Sequence, residues 1–316
     1  MKKVAFLDTV HTVLQQGLEE MGWECIDMTK MERFDINRII GQCQGIVVRS
    51  RFPMDREFLM QASSLEFIAR SGAGMENIDL DYCEGRNIQL FNAPEGNRNA
   101  VAEHALGMLL SLFNNLNKAD TEVRKGVWNR EGNRGEELEG KTVGIIGYGN
   151  NGSAFARLLK GFDCEVIAYD KYKSGFGNDD VKEVSLEELQ EKADVISLHI
   201  PQNEETFELV NAAFIKEVAK PFWLINLSRG KIVRTRDLLT GIAMNKVKGA
   251  CLDVLEFEKS SFENMFDGGK EEMHETLRSL LFSNKVILSP HVGGWTRESY
   301  YKLSKVLLEK IKNAFG

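Results

Sequence analysis

Short apolar runs rich in Val and Ile recur along the chain, at 4–7, 45–48, 66–69, 88–91, 143–146, 165–169, 195–198, 222–226, 250–254 and 286–288, with helix-patterned segments between most of them. This alternation constrains the fold more than any other feature. A continuously apolar strand is buried on both faces, and a helix between two such strands lets them run parallel. Phe155, Leu158 and Leu159, stopped by Gly161, form one such connector. The runs fall into two blocks, one before residue ~95 and one from ~143 to ~289. An α/β protein with two doubly wound parallel-sheet domains is therefore expected.

Between the blocks, residues 100–119 read as one long apolar helix, and 120–140 as a polar, Gly-spaced arm carrying Trp128. The tail from Thr296 to Phe315 is helical again, while 259–278 is a charged, Gly-containing excursion that reads as surface. Forty basic against 47 acidic residues leave a net charge of -7, which argues against nucleic-acid or polybasic membrane partners. No apolar run approaches the ~18 residues that a membrane span needs. The start, Met1-Lys2-Lys3 followed by an apolar stretch of four, reads as a first strand and not as a signal peptide. The five cysteines are scattered and never spaced C-x-x-C, so buried thiols in a reducing cytoplasm are expected, with no metal site.

Gly147-Tyr148-Gly149-Asn150-Asn151-Gly152 fits G-x-G-x-x-G, with a strand running into it and a helix leaving it. In that context Gly147 permits the tight turn, Gly149 admits a pyrophosphate close to the backbone, and Gly152 lets helix and strand pack. The helix start offers free N–H groups to a diphosphate. Asp170, at the end of the next strand, would accept bonds from the adenosine ribose hydroxyls and repel a 2′-phosphate, so NAD is favoured although Lys171 and Lys173 follow. His199-Ile200-Pro201, Asn226-Leu227-Ser228-Arg229-Gly230 and Asp253 each end a later strand. Ligands in open parallel sheets bind at that edge.

Such a site needs an acid/base for a hydroxyl proton and a cation for a substrate's charge. Among the five histidines, His11 and His104 lie on expected helices and read as structural, and His274 sits in the charged excursion. His291 is different: it follows an apolar strand within Ser289-Pro290-His291-Val292-Gly293-Gly294, where a stiff approach and two glycines suit close contact with a flat ring. Arg229 follows a strand and precedes a glycine, a position that suits its guanidinium to a carboxylate. Glu258 stands among other charged residues, and pattern alone favours a solvated acid there.

With these residues in view, the chain resembles the D-isomer-specific 2-hydroxyacid dehydrogenase family over nearly its whole length. The signatures are Ser71-Gly72-Ala73-Gly74-Met75-Glu76-Asn77-Ile78-Asp79, Asn92-Ala93-Pro94-Glu95-Gly96-Asn97 with Val101-Ala102-Glu103, and the glycine loop. Asn226–Gly230 (226–230), Leu252-Asp253-Val254 with Glu258, and the run from Ser289 to Thr296 complete the set. The resemblance implies that Arg229, Glu258 and His291 are catalytic. It implies NAD contacts from Val101, the 147–152 loop, Asp170, His199, Pro201 and Thr206, and also from Leu227, Ser228, Arg229, Asp253, His291, Gly293 and Gly294. Substrate contacts are implied for Ser71, Gly72, Ala73, Gly74, Asn97, Arg229 and His291.

The resemblance further implies a Rossmann NAD domain at 99–289 inserted into a flavodoxin-like substrate domain of 1–98 plus 290–316. It also implies a homodimer built on the 120–140 arm. The family commonly has Arg-Ile where Asn150-Asn151 stand, and a proline where Lys259 follows Glu258. Within the family the likeness is greatest to the branch acting on 3-phosphoglycerate, with Arg49, Ser50 and Arg51, and Arg134 of the partner subunit, as phosphate candidates. No regulatory module is expected after residue 316. The alternatives are a broad reductase of glyoxylate, hydroxypyruvate or pyruvate, and an NAD-sensing, corepressor-like interaction protein.

Overall fold

The computed structural model describes residues 1–258 and 275–316, and the chain divides into two compact units. The first comprises Met1–Arg98 and Trp295–Gly316. The second comprises Asn99–Glu258 and the described residues up to Gly294. The chain re-enters the first unit at Trp295, where the sequence suggested residue 290.

In the first unit, β1 (Lys3–Phe6), β2 (Glu24–Asp27), β3 (Gly45–Val48), β4 (Phe67–Arg70) and β5 (Gln89–Asn92) pair in parallel in the order β2-β1-β3-β4-β5. This is the flavodoxin-like order. Side chains alternate between faces along each strand. Ala5, Ile46, Val48 and Ile68 enter one core, while Val4, Phe6, Val47, Phe67 and Ala69 enter the other. The helix Arg297–Phe315 covers the second face with Leu303, Leu307, Leu308 and Ile311. There the Phe67 ring meets Trp23 at 5.6 Å and Phe315 at 5.3 Å.

The second unit contains β6 (Thr142–Ile146), β7 (Glu165–Tyr169), β8 (Lys182–Glu183), β9 (Val195–Leu198), β10 (Phe222–Asn226), β11 (Val247–Leu252) and β12 (Val286–Leu288). All pairs are parallel, in the order β12-β11-β10-β9-β6-β7-β8. The order reverses between β6 and β9, and at that switch point the loops after neighbouring strands diverge and leave a crevice. Phe222 and Leu224 face one core, and Trp223 and Ile225 the other.

The structure departs from the sequence reading in definite places. The strands β2 and β8 were not anticipated. The single helix expected over 100–119 is two helices, Pro94–Phe113 and Leu116–Arg124, broken where Asn115 adopts φ 51°. The second of them buries no residue, and Leu116, Val123, Val127 and Trp128 are exposed. Part of the excursion read as surface is core instead: the helix Glu275–Leu281 buries Leu277 and Leu280. Residues 259–274, including His274, lie outside the described residues. Cys43, Cys83 and Cys251 are buried, whereas Cys25 and Cys164 are partly exposed. No helix among the described residues is long and apolar enough to cross a membrane.

Candidate active site

The glycine loop joins β6 to the helix Asn150–Leu159. Gly147 has φ 93°, and a Cβ there would lie 2.4 Å from the His199 carbonyl oxygen. A Cβ at Gly152 would lie 2.0 Å from the Gly147 oxygen. At Gly149 the same test meets nothing within 4 Å. The outer glycines are thus required by close backbone approach, while the middle one leaves open space at a helix N-terminus. That is the space a pyrophosphate needs. Asn151 Oδ1 is buried there without a hydrogen-bond partner among the described residues.

Asp170 follows β7. Its Oδ2 accepts from Tyr148 N at 2.7 Å, and its Oδ1 from Tyr172 N and Lys173 N at 2.9 and 3.0 Å. The carboxylate therefore fixes the glycine loop and its own turn together, at the position where a ribose is expected. Tyr148 stacks on Phe176, with ring centroids 4.5 Å apart. Val101 is 6% exposed and belongs to the unit's core, which makes it packing first. In the loop after β9, Thr206 Oγ1 donates to the Pro201 oxygen at 2.7 Å. His199 is partly buried as a residue. It shares a 2.9 Å hydrogen bond with Ser197 Oγ, lies beside Phe155, and burial pushes its pKa down to about 4.

Arg229, Glu258 and His291 come from the loops after β10, β11 and β12, three adjacent strands. At the end of β10 the buried Asn226 turns the chain: its Oδ1 accepts from Ser228 N at 3.0 Å and its Nδ2 donates to the Arg229 oxygen at 2.9 Å. Ser228 Oγ donates to the Leu198 oxygen at 2.7 Å, and Leu227 is buried. A Cβ on Gly230 would lie 1.9 Å from the Leu255 oxygen, so the arginine loop presses directly on the segment leading to Glu258. Glu258 Oε1 accepts from Leu255 N, and Oε2 is 2.9 Å from His291 Nδ1. A carboxylate only accepts, so Nδ1 carries the hydrogen in this pair.

His291 has φ 55°, a left-handed backbone that non-glycine residues seldom adopt and that collects at functional sites. Asp253, 2% exposed, holds it there. The Asp253 carbonyl accepts from His291 N at 2.8 Å. Its Oδ1 accepts from Ser289 Oγ at 2.5 Å and Val292 N at 2.9 Å, and its Oδ2 from Gly293 N at 2.7 Å. His104 Nε2 meets Ser289 Oγ at 2.9 Å, joining the same network. His11, also read as structural, caps the helix Thr12–Glu20 by accepting from Val13 N. No group of His, Cys, Asp and Glu among the described residues is arranged to hold a metal.

In the first unit, the Gly72 oxygen accepts from Ala93 N and the Ala73 oxygen from Asn92 Nδ2, which fixes the 71–74 loop. Asn97 Oδ1 is buried without a hydrogen-bond partner among the described residues. Two of the phosphate candidates are tied into the fold of their own unit. The Arg51 guanidinium donates to the carbonyls of Leu7, Met28 and Met31, a structural tie between the segments after β1 and β2. The backbone N–H groups of Arg49, Ser50 and Arg51 all point at Asp8 Oδ2, at 2.6, 3.1 and 3.2 Å, so a carboxylate already takes that nest and Ser50 does not present it to a phosphate.

Arg49 does reach a cavity. Its guanidinium lies over the Trp295 ring, 3.9 Å from the centroid, and both line a space of about 430 Å³ with Thr9, Ser71, Arg297 and Tyr300. Sequence reasoning missed Arg297. The available signal was a cation in the first turn of a helix, where the dipole disfavours it. Arg134 pairs with Glu131 of its own chain at 2.9 Å.

A family model described as the NAD-binding domain of D-isomer-specific 2-hydroxyacid dehydrogenases matches residues 106–293. The chain belongs to that family. It is 33% identical to a D-3-phosphoglycerate dehydrogenase of Archaeoglobus fulgidus over 94% of this chain and 54% of the relative. It is 30% identical to a hydroxypyruvate reductase of Thermotoga maritima over 98% of this chain and 96% of the relative. It thus spans about half the length of the first relative and nearly all of the second. Among solved structures, a D-lactate dehydrogenase of Aquifex aeolicus in complex with NAD and lactic acid superposes with a TM-score of 0.82, at 27% identity, covering 99% of this chain and 95% of that one. NAD is accordingly the dinucleotide, and the glycine loop described above fits it.

Two outcomes follow from this geometry. Replacing Asp253→Asn puts an NH₂ group against an N–H donor that now meets a carboxylate oxygen, and it is expected to cost about 1–3 kcal/mol in urea unfolding. Burial holds His199 neutral in the fold, because desolvation disfavours the imidazolium and pushes its pKa from the ordinary 6.5 down to about 4. The unfolded chain takes up the proton first, so the contribution is full above pH ~6.5 and is lost as pH falls toward ~4. In His199→Gln the decline of the urea midpoint across that window should flatten, and an unchanged decline would remove His199 as its source.

Proposed function

We propose that the protein is an NAD-dependent D-2-hydroxyacid dehydrogenase working reversibly on the C2 centre of a 2-hydroxy or 2-oxo acid. The observation that carries this is the 2.9 Å bond between His291 Nδ1 and Glu258 Oε2, on a loop adjoining that of Arg229. NAD, when bound, supplies the hydride acceptor at C4 of its nicotinamide. His291 Nε2 takes the hydroxyl proton in oxidation and returns one in reduction. Glu258 holds the imidazole at one tautomer. Arg229 fixes the substrate carboxylate and stabilises charge developing on the carbonyl oxygen.

For the substrate, the reading supported best is 3-phosphoglycerate and 3-phosphohydroxypyruvate, the pair that belongs to serine biosynthesis. Two cations, Arg49 and Arg297, line the cavity of the first unit, and several relatives carry that name. A second reading, reduction of unphosphorylated hydroxypyruvate or a similar 2-oxo acid, draws support from the Thermotoga maritima relative, which this chain matches over nearly its full length, and from the commitment of Arg51 to backbone carbonyls. The NAD-sensing, corepressor-like reading is set apart from both by turnover on any 2-oxo acid. The assembly we propose is a homodimer in the cytoplasm, supported by the exposed apolar residues Leu116, Val123, Val127 and Trp128 and by five free cysteines.

His291→Asn is expected to retain NADH binding while turnover falls by about 10²–10⁴, the usual worth of a positioned acid/base; turnover within threefold of wild type would remove it from the chemistry. The substrate is tested by the ratio of kcat/KM for phosphohydroxypyruvate over hydroxypyruvate. A charge-assisted hydrogen bond is worth ~1.5–3 kcal/mol, so the wild-type ratio should be about tenfold or more and should collapse in Arg49→Ala. A wild-type ratio near one favours the unphosphorylated acids.

A further inference from the structure

Lys171 and Lys173 stand one and three residues after Asp170, on the side of the site where a 2′-phosphate would lie, and two free ammonium groups there would invite NADP. Neither points freely at that space. Lys171 Nζ pairs with Glu205 Oε1 at 2.8 Å, and Lys173 Nζ lies 3.4 Å from the Tyr148 oxygen. The Tyr172 hydroxyl also donates to Glu205, and the Lys171 ammonium sits 5.7 Å from the Tyr172 ring centroid. Glu205 belongs to the loop after β9 and Lys171 and Tyr172 to the loop after β7, the strands on either side of β6. The contacts therefore reach across the end of β6, where the glycine loop begins.

We propose that Glu205 is a second determinant of NAD selectivity, acting beside Asp170 by neutralising Lys171 and adding its own negative charge at the ribose edge. This rests on the assignment of the dinucleotide site to the glycine loop. A 2′-phosphate arriving there meets two carboxylates, and it gains Lys171 only by displacing Glu205 from both the ammonium and the Tyr172 hydroxyl. The charges support one another: the pairing holds the Glu205 carboxyl below its usual range and the Lys171 ammonium above its own. Such an exposed pair adds little to stability. Its effect falls on a dianion placed beside it, where Coulomb energy scales with the ligand's charge.

The test measures dissociation constants of NADH and NADPH by fluorescence titration of the full chain, without substrate. In Glu205→Gln the preference for NADH over NADPH should narrow by about fivefold or more, mainly through tighter NADPH binding. Lys171→Met in the Glu205→Gln background should restore most of the preference, because the released ammonium is what receives the phosphate. Lys171→Met alone should widen it, by unmasking Glu205. An unchanged ratio in Glu205→Gln with NADH binding intact would overturn the proposal. So would an equal loss of both cofactors, which would make the cluster a wall of the site. Wild-type protein that binds neither nucleotide would overturn the dinucleotide site along with it.

Discussion

A buried carboxylate with every bond satisfied is the interaction on which the candidate active site depends. Asp253 stands at the end of β11, and charge at 2% exposure is costly unless hydrogen bonds replace water. The segment after β12 supplies them through one hydroxyl and two N–H groups, with a third N–H on the Asp253 carbonyl. Asp253 N in turn donates to the Asn226 oxygen at the end of β10. The carboxyl edges of three parallel strands are thereby stitched together, and these are the edges from which Arg229, Glu258 and His291 depart. Parallel pairing brings the loops to one side of the sheet, and Asp253 fixes what they do there.

The same device recurs at two other strand ends. Asp8, after β1, collects the N–H groups that follow β3. Asp170, after β7, collects the N–H of Tyr148 after β6. In each case the acid sits on one strand and the loop it holds follows the neighbouring strand. Loops at the working edge carry unpaired N–H groups because the ladder has ended, and an adjacent carboxylate satisfies several at once. An acid at such an edge is therefore first a means of shaping backbone. Any ligand it binds meets a group whose position is already set.

This explains which features were legible in sequence. The central strands show themselves because burial on both faces demands continuous apolar runs. β2 and β8 lie at sheet edges, where Glu24 to Asp27 and Lys182-Glu183 stay partly or wholly exposed and lack the apolar signal. The helix break at Asn115 hides because the flanking pattern continues through it. Site residues borne by local motifs, such as the glycine loop and the segment around His291, could be read from neighbours in the chain. Arg51 could not, since its carbonyl partners at Met28 and Met31 become neighbours only when β1 separates β2 from β3. The same holds for Asp8 and Glu205: each acquires its meaning from partners distant in sequence.

The left-handed turn at His291 ties these threads together. A non-glycine residue at φ 55° is held only where its surroundings over-determine it, and here the backbone N–H is anchored by Asp253 on one side while the ring is anchored by Glu258 on the other. Glu258 is itself fixed through Leu255, whose carbonyl lies against Gly230 beside Arg229. A larger residue at 230 would push the arginine loop from the glutamate loop, and the imidazole's partner would move with it. His291, Glu258 and the Arg229 loop are consequently one mechanical unit, and in the proposed reaction the acid/base and the cation are held in place together. Preorganisation of this kind lets the developing charge be met without the protein reorganising at the moment of reaction.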